Sequence, residues 1–186
     1  MLKHYLEQIS ESEFSERNLE IPNLVAKEKM GTNARGVLNS TITLHALANF
    51  FSAEFVVRCD FLKSFILSHS NLLINNSDKD PATVAKELFQ SVSFTERDKI
   101  KNLYKSGIKP IEKSLSNENM KKQIEDNFIT KMEACIQKNN LYIEIAYKEI
   151  AAAKANRNPW LILQPNFSGI GIDLRELWNR YFKNNL

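Results

Sequence analysis

Seven polar residues, Arg35, Asn39, His45, Asn49, Glu54, Arg58 and Asp60, lie inside the most apolar stretch of this 186-residue chain, among Leu, Ile, Val and Phe. On a helix, His45, Asn49 and Ser52 fall in one stripe at i, i+4 and i+7, with Thr43, Glu54 and Arg58 on roughly the opposite side. The first stripe would set a histidine general base or ligand beside amide and hydroxyl groups. Glu54 and Arg58 can pair directly at i, i+4. Arg35, His45, Asn49, Glu54 and Arg58 therefore make up a candidate polar core site. The competing reading is structural. An ion carried into a core needs a partner or it costs several kcal/mol, so the pair would fix helix register and His45 would be a satisfied histidine. The structural reading is the one adopted.

Other chemistry finds little support. The three histidines, His4, His45 and His69, show no HxxxH or HxH spacing, so no zinc site and no cofactor is expected. GxSxG, HExxH, P-loop and GxGxxG motifs are absent. Ser168-Gly169-Ile170-Gly171 lacks a third glycine and reads as a turn. Cys59 and Cys135 are far apart, each within an apolar periodic segment, where free cysteine behaves as a small buried hydrophobe. Two cysteines with no CxxC, and an N-terminus with no hydrophobic leader region, point to a reducing, cytoplasmic setting. Charged residues interrupt the apolar stretch too often for a membrane span.

Two surface features bear on partners. Arg97, Lys101 and Lys105 recur every four residues as a basic stripe, suited to an anionic partner or to water. Tyr104 is the only aromatic between Arg97 and Lys122, so base stacking is not indicated. The net charge of +3 does not by itself imply nucleic-acid binding. Trp160, Trp178 and Tyr181 are candidate partner anchors, because aromatics dominate interface hot spots. Packing of a terminal helix on its own core would use them equally well.

Elements that position these residues follow from periodicity and punctuation. Five glycines and five prolines are few for this length and argue against a loop-rich or all-β chain. The expected fold is all-α: one domain over 1–186, a bundle of about six or seven helices. Residues 1–33 read as an acidic lead of short helices, with Pro22 opening the second and Gly31 stopping it. Residues 34–74 supply the core, as one helix or as two broken near 49–52. Asp80-Pro81 reads as an N-cap followed by proline at the first helical position. Ser93 and Glu96 have capping-box spacing, and the helix they would begin ends near Gly107, with a second break at Lys109-Pro110. A long periodic run follows from about Asn117, with a possible interruption at Asn139-Asn140. Residues 141–147 also alternate tolerably for a strand that could pair with 160–163 in a short hairpin, although the alanines after them favour helix. Asp173 and Glu176 would cap a last amphipathic helix over 173–184.

One family comparison bears on function. HEPN ribonucleases are helical bundles of this size whose catalytic element is an Arg followed four to six residues later by His. Arg157-Asn158 resembles the start of that element, yet 159–167 holds no histidine, and neither Arg35 with His45 nor Arg58 with His69 has the spacing. These observations lead to a small helical interaction or regulatory protein that binds a protein partner or another anionic partner without catalysis. The alternatives are a nucleic-acid-processing enzyme, of divergent HEPN-like or other type, and a basic nucleic-acid-binding module.

Overall fold

The computed structural model describes residues 2–75, 80–112 and 117–155. Among these every regular element is an α-helix: α1 (Leu2–Ala34), α2 (Thr41–Ser68), the short α3 (Ser70–Asn75), α4 (Pro81–Glu112) and α5 (Glu118–Ala155). The polypeptide divides into two compact units, 1–150 and 151–186, and the packing below is within the first. Trp160, Trp178, Tyr181, the 173–184 helix and the 160–163 half of the alternative hairpin lie outside the described residues. Residues 141–147 are helical.

The described residues form five helices because the breaks expected within them do not break. Pro22 sits inside α1, where it removes one backbone bond to the carbonyl of Asn18, but Phe14, Ile21 and Val25 on either side share a buried face that holds the helix together. Gly31 does not stop α1 either. The stop comes at Gly36, with φ of +70°, where Gly36 N–H bonds the Asn33 carbonyl at 2.8 Å and Val37 N–H bonds that of Thr32 at 3.0 Å. This pair of bonds closes a Schellman motif, which favours glycine at the left-handed position. α2 runs through 49–52 without a break. α4 likewise passes through Ser93, whose hydroxyl bonds back to the Phe89 carbonyl at 2.6 Å instead of capping a helix, and through Gly107 and Pro110. Asn139 and Asn140 do not interrupt α5. Two starts stand as read: Asp80 Oδ2 accepts from the Thr83 N–H at 3.1 Å, and Asn117 Oδ1 accepts from that of Met120 at 3.1 Å.

α2 and α4 form the centre, with α1 packed on both. Phe14 meets Phe61 and Tyr5 meets Phe65, so α1 runs antiparallel to α2. On the other side, α5 faces the same two helices. Lys86, Arg97 and Lys105 of α4 pair with Glu144, Glu133 and Glu125 of α5. Steps of eleven and eight residues on one helix match the same steps taken backward on the other, which fixes an antiparallel register. Phe51 of α2, Tyr104 of α4 and Phe128 of α5 join in a chain of ring contacts, 5.9 and 4.6 Å between centroids. These rings carry the core across three helices.

Gly107 lies against this packing, beside the Phe51 ring. A Cβ there would meet Phe51 at 3.6 Å and Val25 at 3.7 Å, ordinary contact distances. Gly107→Ala should therefore stabilise the fold by about 0.5–1 kcal/mol through helix propensity. Gly107→Leu should destabilise it by about 1–3 kcal/mol through overpacking. Gly36→Ala should destabilise by roughly 1–2 kcal/mol, because the left-handed backbone strains any Cβ. Urea melts of the three variants check the set, and a loss in Gly107→Ala would contradict the helical placement of residue 107.

Candidate functional site

Of the five residues of the expected polar core site, four are split between opposite sides of α2 and the fifth, Arg35, precedes that helix. Arg35 lies beyond the end of α1, exposed, with its Nε donating to the Gly31 carbonyl at 3.1 Å. His45 and Asn49 are exposed on the α5 side. Glu54 and Arg58 are buried on the α1 and α4 side. No single site gathers them.

Glu54 and Arg58 belong to an ion network that sequence spacing only begins to reveal. Arg58 has 0% of its side chain exposed. Its Nε donates to Glu54 Oε1 at 3.0 Å, its Nη1 to Glu96 Oε2 at 2.7 Å and its Nη2 to Asn18 Oδ1 at 2.7 Å. Its guanidinium carbon stands 4.8 Å from the centre of the Phe14 ring. Glu54 is also gripped by Arg17, Nε to Oε1 at 2.9 Å and Nη2 to Oε2 at 2.6 Å. Lys99 completes the line by donating to Glu96 Oε1 at 2.8 Å. Charges alternate from Arg17 through Glu54, Arg58 and Glu96 to Lys99, and three helices contribute. Burial opposes ionisation of Glu54, but the hydrogen bonds from Arg17 and Arg58 outweigh it and hold the carboxyl below its usual range.

The second locality is a shallow groove of about 220 Å³ between α2 and α5, lined by His45, Ala48, Asn49, Ser52, Asn127, Phe128, Thr130 and Lys131 with Ile124. Here the stripe of His45, Asn49 and Ser52 does face one space. Lys131 Nζ donates to Asn49 Oδ1 at 2.9 Å, and the Ser52 hydroxyl is satisfied by the Ala48 carbonyl at 2.7 Å. The lining surface is mostly apolar, with one cation, Lys131, and the polar groups of His45, Asn49, Ser52, Asn127 and Thr130 set into it. Sequence reasoning named the α2 half of this lining but not Asn127, Thr130 or Lys131, which belong to a helix some eighty residues on.

Arg97 and Lys105 of the basic stripe point toward α5 and its carboxylates, with Arg97 also 3.1 Å from Asp98 and stacked 5.0 Å from Phe94. Lys101 is half-buried beside them. Most of the stripe's charge is thus engaged within the bundle. Elsewhere on the same α4–α5 edge, Lys148 and Lys86 grip Glu144 at 2.7 Å each and hold its carboxyl down to about 2. Sequence reasoning also missed one feature of α5: Asn140 buries its amide with neither Oδ1 nor Nδ2 hydrogen-bonded among the described residues. Among the described residues no cluster of three or more His, Cys, Asp or Glu could hold a metal. None of their helices is long and apolar enough to cross a membrane.

The network predicts a steep asymmetry between breaking it and replacing it. Arg58→Met leaves Glu54 and Glu96 facing each other without their shared cation and should cost about 3–5 kcal/mol in urea melts. Adding Glu54→Leu and Glu96→Leu should restore most of that loss, since Arg17 and Lys99 are 36% and 39% exposed and can return to water. A triple variant no more stable than Arg58→Met would contradict the network. The pH dependence has a definite sign. A folded-state Glu54 below the ordinary glutamate value of about 4.3 contributes stability that is complete above that pH and lost as pH falls through the depressed value. Urea midpoints followed from neutral pH to about pH 2 should fall along that limb, and Glu54→Gln should flatten it while lowering the neutral plateau.

No protein-family model matches the chain, and neither a curated protein nor a solved structure does so.

Proposed function

We propose that this chain is a helical interaction protein that binds a protein partner through the outer face of α5. The observation that carries this reading is a run of exposed apolar side chains on one turn of α5, Leu141 at 60%, Tyr142 at 37% and Ile145 at 48% exposure. Leu141 and Ile145 are i, i+4 neighbours and so present one surface, and Lys63 of α2 sits 5.2 Å from the centre of the Tyr142 ring at its edge. An aromatic and two aliphatics with a cation at the margin have the composition of an interface anchor with a polar rim. The ionisable residues of the core meanwhile serve one another: Arg58, Glu54 and Glu96 are spent on internal pairs. A regulatory role in the cytoplasm agrees with this reading.

The groove at His45 favours a second reading, a nucleic-acid-processing enzyme that uses His45 as general base with Lys131 toward a phosphate. That reading must do without Glu54 and Arg58, which lie on the other side of α2.

A photo-crosslinking residue placed in turn at positions 141, 145 and 19 separates the two in living cells, because Leu19 is more exposed still, at 76%, but on α1. Positions 141 and 145 should give the same discrete protein adduct, position 19 should not, and Ile145→Asp should abolish the adduct from position 141 without shifting Tm. Equal labelling at all three positions would remove the basis for a docking face. His45→Gln should keep the cellular activity of the wild type. A loss of about 10² or more in that activity, with fold and crosslinking intact, would move the enzyme reading to first place.

A further inference from the structure

The outward side of α5 carries a longer pattern, of which the exposed turn at Leu141 and Ile145 is only the middle. Lys138, Tyr142, Ile145 and Glu149 follow one another at steps of four, three and four residues, and all four are exposed, while Ile143, Ala146 and Tyr147 between them are buried. Alternating steps of three and four keep residues on one line along a helix, the spacing of a coiled-coil seam. The ends of this seam carry opposite charges and its middle is apolar. The ion pairs that tie α5 to α4 run through Glu125, Glu133 and Glu144, so Lys138 and Glu149 keep their charges for the outer surface. Tyr142 is held before any partner arrives: Lys63, paired with Asp60 at 2.6 Å, stands 5.2 Å from the centre of its ring.

Such a seam is complementary to its own reverse. Positions 138 and 149 lie equally far from a point midway between 142 and 145. A two-fold axis through that point, perpendicular to α5, sets Lys138 against Glu149 of a second copy and Tyr142 against Ile145 of that copy, each pair occurring twice. The two apolar layers are then closed at both ends by opposite charges, and Leu141 lies beside them.

We propose that the occupant of this face is a second copy of the chain, docked through an antiparallel pair of α5 helices. The inference rests on the reading of the α5 face as a docking surface and names what docks there. A parallel pair would set Lys138 against Lys138 and Glu149 against Glu149, so like-charge repulsion selects the antiparallel one. The contact uses the same patch on both copies and closes at two. Four layers make a small interface, below the roughly 1,200 Å² of stable complexes, so the dimer forms reversibly and its population follows concentration.

The test uses the full chain. Sedimentation velocity from about 5 to about 500 µM should show monomer passing into dimer. Lys138→Glu and Glu149→Lys should each weaken self-association at least about tenfold, because both charged layers become repulsive, and the double swap should restore it. Tm should not move in any of the three. A mixture of isotope-labelled and unlabelled wild-type chains is also treated with a carbodiimide, which joins an amine to a carboxylate without a spacer. Within one helix residues 138 and 149 stand about 16 Å apart, so the expected linkage of Lys138 to Glu149 joins labelled to unlabelled chain. A monomer at every concentration, a dimer indifferent to Lys138→Glu, or a wild-type dimer without that linkage would overturn the proposal, and the wild-type linkage decides it should a variant fail to fold. The cellular crosslink from position 141 separates the two readings. An adduct of two copies supports both, an adduct with a different protein keeps the docking face but overturns the second copy, and no discrete adduct removes the face itself.

Discussion

Arg58 is the constraint around which the first unit is arranged. A guanidinium with no access to water must have its charge and its donors satisfied by protein, and here Glu54 on its own helix, Glu96 on α4 and Asn18 on α1 satisfy them. That requirement ties the rotation and the axial position of three helices to one planar group. The aromatic face of Phe14 closes the remaining side. Apolar contacts such as Phe14 with Phe61 or Phe51 with Tyr104 would tolerate small slides of one helix along another. The charge array does not, because a slide of one turn would leave a buried carboxylate without its cation.

The array stops at α4, and α5 is held by different means. Its core side chains, Ile124, Phe128, Met132, Ile136, Ile143 and Tyr147, bury apolar surface, and its register comes from the ladder of exposed ion pairs with α4. Exposed pairs contribute little stability each, typically under about 1 kcal/mol. α5 also buries an amide at Asn140 that has no hydrogen-bond partner among the described residues, which costs about 1–3 kcal/mol relative to a satisfied one. The least constrained helix of the unit is therefore the one that lines the groove and bears the exposed apolar turn. Local stability and recognition commonly part company in this way, since surfaces that bind or switch are drawn from regions with a small free-energy cost of rearrangement.

Helical class, a core role for much of residues 34–74 and the pairing of Glu54 with Arg58 were legible in the sequence because each rests on local spacing. Their partners were not, because Asn18 and Glu96 lie forty and thirty-eight residues from Arg58 and no periodicity reports a contact at that distance. Glu96 also carried a decoy. Ser93 and Glu96 satisfy the capping-box pattern, but they sit on the face defined by Phe89, Val92, Ile100 and Tyr104, and a helix start would not bury both its Ser and its Glu. A polar residue on an apolar stripe was the signal that could have found the network. Pro22, Gly107 and Pro110 misled in the same sense, because tertiary burial on both sides of each outweighs a local cost of about 1–3 kcal/mol. Gly31 and Gly36 are five residues apart, and only the positive φ of the second, a tertiary outcome, tells the stop from the bystander.

Retaining a buried ion array in place of leucines is a choice against raw stability, since apolar replacements of such arrays are often neutral or favourable. α2 shows what the array provides. Its apolar residues extend well beyond its buried face, with Ile42, Val56 and Val57 exposed, so hydrophobic burial alone would accept several rotations of this helix about its axis. Only one rotation points Arg58 toward both Glu96 and Asn18 while Glu54 reaches Arg17. That same rotation turns Asn49 and His45 toward α5. The charge network on one side of α2 thus determines which residues stand in the groove on the other.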